Sequence, residues 1–237
     1  MEQTFIRQDW HAYRPEQHAV WATLYRRRMA ALRHTASRVF LDGADAIGLD
    51  SEQLPDLARI NRALAARTGW SAAAVSGFLP AGTFFSCLAE RRFPTTVTIR
   101  DASRLDYVPE PDIFHDVFGH VPLHADPVFA DFLQQFGLLA RSAGTPGRVT
   151  QLARLFWFTV EFGLVREGGD IRVYGSGLIS SHADAAHALG PRCERRPFAL
   201  DAVLNQPFDI DRLQDVLFVL ESFDELFAAV QSLVKEP

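Results

Sequence analysis

Apolar residues recur at three- and four-residue steps through most of the chain, the signature of helices with one buried face. That period predicts a helix from Pro15 to about Asp42, with a proline in its first turn and Gly43 beyond its end. It predicts further helices over Ser51–Arg67, Pro80–Arg91, Pro111–Phe118, Pro127–Ala143, Gly147–Arg166, Ser181–Leu189 and Ser222–Lys235. Two-residue alternation is scarce. Thr95–Arg100 (TTVTIR) and the β-rich Ile171–Tyr174 are the predicted strands. The most loop-like stretch, SAGTPGR at Ser142–Arg148, reads as a turn between two helices. No repeat or low-complexity linker divides the chain. The expectation is a mainly α protein with a small β component, forming a single domain over residues 1–237.

Composition narrows the class. Of 237 residues, 48% are hydrophobic, so the chain can build a core and does not have the make-up of a disordered one. A net charge of -5 gives no overall attraction to nucleic acid or to anionic membranes. The one basic run, Arg26-Arg27-Arg28, lies in a helical pattern and reads as a solvated face. Cys87 and Cys193 are far apart and suit neither a disulfide framework nor a zinc spacing, which points to a reducing cytoplasm. The opening MEQTFIRQDW is too polar for a signal peptide, and no apolar run is long enough to span a bilayer.

Two features carry chemistry. In HDVFGH, His115 and His120 stand five residues apart. On an ideal α-helix five steps separate two side chains by about 140°. Gly119 is therefore expected to interrupt the helix and turn the second ring back toward the first. Alone, such a pair is a weak signal, and two packing or surface histidines are its more ordinary reading. Glu161, in FWFTVEFGLV, strengthens the reading. Its helix is apolar on nearly all sides, and a buried carboxylate needs compensation. Arg154 or Arg166 could supply it as an ion pair, although both suit the ends of the helix better than its middle. A divalent cation is the more economical partner.

Two imidazoles and a carboxylate leave metal positions open and are diagnostic of non-haem Fe(II) oxygenases. Zinc hydrolases also use two His and one Glu, but usually in H-E-x-x-H with histidines four apart. Here Asp116 follows His115 and the spacing is five.

These residues are also where the chain resembles a known family. EPDIFHDVFGHVPLHADPVFADF (Glu110–Phe132), FWFTVEFGLV (Phe156–Val165) and YGSGLISS (Tyr174–Ser181) are similar to the pterin-dependent aromatic amino acid hydroxylases, above all to their short bacterial, phenylalanine-hydroxylating members. The resemblance runs from about Trp10 to FVLESFDELF. It implies a catalytic domain of the aromatic amino acid hydroxylase fold, with Fe(II) on His115, His120 and Glu161. A tetrahydropterin and O2 would be co-substrates in hydroxylating an aromatic amino acid, L-phenylalanine to L-tyrosine.

The resemblance also implies roles for other residues. Arg100 pairs with the substrate carboxylate, a task suited to its two-pronged guanidinium, with Asp112 bracing it and Ser180 nearby. Pro111, Trp157 and Phe162 line the ring pocket. Gly77, Phe78 and Leu79 form a loop on the pterin side, Phe84 stacks on the pterin, and Asp116 sits at its edge. Two positions depart from the family pattern. Phe156 stands where many relatives have tyrosine, and Val108 where animal members have threonine. His124, His182 and His187 fall outside the metal set and read as surface or bracing residues. Without the regulatory and tetramerising segments of animal relatives, a monomer is expected. Hydroxylation of tryptophan or at another ring position, a zinc-dependent hydrolase on the same triad, and a non-enzymatic binding module stand as alternatives.

Overall fold

The structure, a computed structural model, describes residues 4–106 and 110–235. Val108 lies outside the described residues. Helix makes up 57% and strand 13%, so the mainly α expectation holds. Ten α-helices appear among the described residues: α1 (Pro15–Thr35), α2 (Arg38–Ala46), α3 (Leu57–Arg67), α4 (Ala81–Ala89), α5 (Pro127–Arg141), α6 (Pro146–Phe156), α7 (Ser176–Ser180), α8 (His182–Leu189), α9 (Leu200–Asn205) and α10 (Phe223–Lys235). Two short π-helices, Phe114–His120 and Trp157–Glu161, interrupt this scheme, and a 3-10 turn, Val121–Ala125, follows the first. No helix among the described residues is long and apolar enough to cross a membrane.

Among the described residues six strands form two sheets. β1 (Ser71–Val75) and β2 (Arg92–Thr96) pair in parallel, Ser71 opposite Arg92. The second sheet has the order β4 (Asp170–Val173), β3 (Leu164–Glu167), β6 (Val216–Leu220), β5 (Glu194–Pro197). β3 runs antiparallel to β4 and parallel to β6, and β5 is parallel to β6. The second π-helix therefore leads almost directly into a central strand of this sheet.

Local chemistry explains most helix starts. Asp126 accepts from the Phe129 amide at 2.9 Å and Thr145 from the Arg148 amide at 3.3 Å, each just before a proline that opens the helix. α3 begins only at Leu57, because Pro55 precedes it and Asp56 caps it through the Ala58 amide at 2.9 Å. The residues from Ser51 to Pro55 are not helical. The predicted helix Pro15–Asp42 is two helices. The chain leaves α1 at Ala36, which bridges to Val173, and Ser37 caps α2 through the Phe40 amide at 3.2 Å. The predicted strand Thr95–Arg100 is displaced, pairing over Arg92–Thr96 instead. The predicted helix Gly147–Arg166 becomes α6, the second π-helix and β3 in succession.

Aromatic packing sets the first π-helix in place. Phe114 and Phe118 stack on each other at 4.6 Å and 12°. Trp21 of α1 meets them edge-on at 5.5 and 6.3 Å, and Phe40 of α2 meets Phe118 at 5.6 Å. α5 carries Phe129, Phe132 and Phe136 through the core. Phe158 of the second π-helix packs on Phe218 of β6 at 5.4 Å.

Ser37 is fully buried at the corner between α1 and α2. Ser37→Ala is expected to lower stability by about 1 kcal/mol, the usual cost of losing an N-cap. Urea denaturation checks this, through a lower midpoint at unchanged slope.

Candidate metal centre

The two π-helices bring the predicted ligands together. A π-helix closes its backbone hydrogen bonds between residues five apart, so side chains five apart recur one turn on. In the second, the Phe162 amide donates to the Trp157 carbonyl at 2.8 Å, a five-residue step. In the first, the same winding places His115 and His120 on one side. This corrects the expected helix break at Gly119: the π-helix runs on through His120. Gly119 has a different task. A Cβ there would stand 3.0 Å from the Ser176 carbonyl oxygen and 3.1 Å from the Ser176 Cβ, so its absence lets α7 press against the histidine-bearing turn.

Glu161 Oε1 lies 3.2 Å from His120 Nε2, and Oε2 lies 3.7 Å from His115 Nε2. The two rings are nearly perpendicular, with centroids 5.1 Å apart. Ligand atoms of all three residues lie within 4.8 Å of one another. Bonds of about 2.1 Å to one cation set neighbouring ligand atoms about 3–4 Å apart. The His–Glu separations fall in that range, so the residues fit a metal ion. Neither arginine expected as an alternative partner for Glu161 reaches it. Arg154 donates to the Leu204 carbonyl and Arg166 pairs with Glu221.

Hydrogen bonds from α7 orient two ligands. The Ser176 hydroxyl donates to Glu161 Oε2 at 2.7 Å. The Ser180 hydroxyl donates to the Ser176 carbonyl at 2.8 Å and lies 3.0 Å from His115 Nδ1. A hydroxyl has one hydrogen, and a carbonyl can only accept. Ser180 must therefore accept from Nδ1–H of His115, which leaves Nε2 of a neutral ring with its lone pair toward the centre. Burial pushes the Glu161 carboxyl up. Where the imidazoles carry protons, the charge and hydrogen bond of His120, the charge of His115 and the Ser176 hydroxyl outweigh burial and hold it down at about 2. Where they are neutral, their lone pairs face the same point and a cation takes that role.

His124, outside the metal set, braces it. Its Nδ1 lies 2.9 Å from the His120 carbonyl, which fixes Nδ1 as the protonated nitrogen. Burial drives its pKa down to about 3, and the charge of His120 adds to this, so the ring is neutral. Trp70 and Phe93 pack on it at 4.6 and 4.9 Å. His182 is exposed, and His187 is half-buried with Nε2 2.9 Å from the Gln214 carbonyl.

Arg100 and Asp112 form a two-pronged pair. Arg100 Nε reaches Oδ2 and Nη2 reaches Oδ1, each at 2.8 Å, and Nη1 donates to the Leu105 carbonyl at 3.1 Å. Asp112 also accepts the backbone N–H of Arg100 at 3.0 Å and that of His115 at 3.1 Å. Burial works to raise Asp112, but Arg100 and the two amides outweigh it and hold the carboxyl below its usual range.

Trp157 is sandwiched between Phe162 at 4.6 Å and Phe208 at 4.5 Å. Sequence reasoning missed Phe208, which lies in a loop whose pattern carries no helical or strand period. Pro111 is exposed. Phe84 packs edge-on against Phe93 at 5.9 Å and Phe156 at 5.6 Å. Gly77, Phe78 and Leu79 lie in the β1–α4 connection, with Phe78 80% exposed. Asp116 Oδ2 accepts from the amide and hydroxyl of Thr96 at 2.7 and 2.8 Å, and burial pushes this carboxyl up.

Known proteins are similar to this chain in sequence and fold. A sequence profile for biopterin-dependent aromatic amino acid hydroxylases matches residues 10–236. The phenylalanine-4-hydroxylase of Caulobacter vibrioides is 46% identical over 222 residues, 93% of this chain and 76% of that protein. That of Chromobacterium violaceum is 43% identical over 92% of this chain and 73% of its own length. A crystal structure of the Chromobacterium violaceum enzyme with bound iron(III) and oxidised cofactor 7,8-dihydrobiopterin matches with a TM-score of 0.92 at 41% identity, covering 97% of this chain and 84% of that one. On the profile, on relatives of this identity and on a His-His-Glu centre, the chain belongs to the biopterin-dependent aromatic amino acid hydroxylases.

Proposed function

We propose that this chain hydroxylates L-phenylalanine to L-tyrosine, with Fe(II) held by His115, His120 and Glu161 and a tetrahydropterin as co-substrate. The observation that carries the reading is the convergence of two imidazoles and one carboxylate, in a chain whose relatives at 43–46% identity are phenylalanine-4-hydroxylases. Bound iron and pterin supply the activation of O2 and the hydroxylating power. The residues of the chain bind, orient and shield.

Arg100 is assigned to the amino acid carboxylate. A guanidinium has five N–H groups, and three of those of Arg100 are spent on Asp112 and Leu105, which leaves two for a ligand. Asp112 holds the fork rigid, so little side-chain entropy is lost on binding. Trp157, Phe162 and Pro111 are assigned to the substrate ring, with Phe208 buttressing Trp157 from behind. Stacked rings supply apolar area at a low entropy cost. Ser180 is assigned to holding His115, since its only hydrogen already serves the Ser176 carbonyl.

The pterin is assigned to Phe84, Asp116 and the Gly77–Leu79 loop. An 80% exposed ring at Phe78 supports a ligand-facing loop, because apolar surface held in water favours a partner. Asp116 is tied by Thr96 through one oxygen, and the other is assigned to the N–H edge of the pterin. Phe156 packs on Phe84, so the hydroxyl absent from Phe156 would have stood beside the pterin ring.

The reading is tested by anaerobic reconstitution with Fe(II) and tetrahydropterin, then air with phenylalanine, tyrosine or tryptophan in separate reactions. Mass spectrometry and chromatography are expected to find tyrosine from phenylalanine. A hydroxylated product from tryptophan alone, or turnover without iron, overturns it. His120→Ala is expected to purify folded, with little iron and no turnover, and iron content near one per chain refutes the ligand assignment. Arg100→Lys keeps the charge but loses the fork. Losing a charge-assisted hydrogen bond costs about 1.5–3 kcal/mol. Its KM for the amino acid should rise roughly tenfold to a hundredfold, with the pterin KM nearly unchanged; equal rises in both remove that role.

A further inference from the structure

The basic run Arg26-Arg27-Arg28 is not a uniform solvated face. Arg26 and Arg27 are exposed, whereas Arg28 turns inward and is only 4% exposed. Its Nε donates to the Ile179 carbonyl at 2.7 Å and its Nη2 to the Leu178 carbonyl at 2.8 Å. Both carbonyls lie in the last turn of α7, where helix carbonyls lack partners within the helix and positive charge is favoured. Burial lowers the Arg28 pKa to about 10, opposed by the charge of Asp184, so the guanidinium stays charged.

A helix of five residues does not hold itself together in water. Yet α7 carries both hydroxyls that orient the metal ligands, Ser176 on Glu161 and Ser180 on His115. Its start is pressed against the glutamate-bearing turn: a Cβ on Gly175 would stand 2.5 Å from the Glu161 carbonyl oxygen. Contact fixes one end of the helix, and Arg28 grips the other.

We propose that Arg28 is a positioning residue for the metal centre: by binding the last carbonyls of α7 it holds the Ser176 and Ser180 hydroxyls on Glu161 and His115. The proposal rests on the ligand assignment above and extends it to a side chain of α1 that does not touch the metal. The chain of contact is guanidinium, helix end, two hydroxyls, two ligands. Loss of the fork frees α7 to shift along its axis, the Nδ1 partner of His115 is lost, and the ring is free to rotate or change tautomer.

The experiment uses the full chain stripped of metal and titrated with Co(II), read by its visible ligand-field bands, beside circular dichroism. Arg28→Met keeps most of the volume without the donors. It is expected to stay folded, to lose Co(II) affinity by about ten- to a hundredfold and to shift the bands. Arg28→Lys should restore part of the affinity. In a Ser176→Ala/Ser180→Ala background, Arg28→Met should have little further effect, because the hydroxyls through which it acts are gone. Wild-type affinity and spectrum in Arg28→Met overturn the proposal. So does an equal further loss in the background without serines, which marks a merely structural role. Should Arg28→Met not fold, Arg28→Lys compared in the two backgrounds decides by the same criterion. His120→Ala separates the two levels. Unchanged Co(II) binding there removes the ligand assignment and the proposal with it. Lost binding there, with none lost in Arg28→Met, removes the proposal alone.

Discussion

The carboxylate of Glu161 sets the terms for the rest of the structure. An acid in such apolar surroundings survives as an anion only if something faces it. Its oxygens meet His120 at 3.2 Å and His115 at 3.7 Å, and the Ser176 hydroxyl at 2.7 Å. The two arginines nearest in sequence are committed elsewhere. A site that gathers two imidazoles and one anion, with neither neighbouring arginine turned toward them, is complementary to a metal ion. The relation is reciprocal, because each ligand also depends on the shape of the backbone that carries it.

That shape is the π-helix. An α-helical HDVFGH would point its histidines in different directions; the wider turn aligns them. Such turns are rare because their hydrogen bonds and packing are poorer, so the surroundings must offset the cost. Stacking of Phe114 on Phe118, with Trp21 and Phe40 edge-on, lines the back of the first turn with buried aromatic surface. Phe158 against Phe218 does the same for the second. Five of the 19 phenylalanines, Phe40, Phe114, Phe118, Phe158 and Phe218, thus have a local purpose: they clamp two uncommon turns so that their polar faces meet.

The ligands were legible in the sequence because their chemistry is costly unless satisfied, and the family likeness named the same residues. Helices with a capping side chain or a first-turn proline were legible too, as at Asp126-Pro127. Where the reading failed, a long-range contact overrode a local pattern. Nothing near Ala36 signals that it bridges to Val173, which breaks one periodic stretch into α1 and α2. The alanine-rich Ser71–Val75 has the composition of a helix and becomes a strand through its partner, Arg92–Thr96. Arg28 looked like its neighbours because charge alone does not reveal direction; the α7 carbonyls it meets lie 150 residues further on. The five-residue histidine spacing was visible, but an α-helical angle was applied to it, and a glycine was given a turning role when its use is close approach.

Asp112 shows how the parts are tied. One carboxylate accepts from Arg100 three times, counting the backbone, and from the His115 amide once. The residue assigned to the amino acid and the turn that carries a metal ligand therefore share one anion. Asp112 already neutralises Arg100, so a substrate carboxylate joining the guanidinium shares its single charge rather than claiming it. Net attraction is modest under such sharing, while direction is strict, because the free N–H groups are held in the plane that Asp112 sets. Hydroxylation of one ring position demands that balance: the ring must be aimed closely, and the product must leave. The anion that braces the arginine assigned to the substrate also fixes the backbone of the metal-binding turn, so a displacement of either is felt by both.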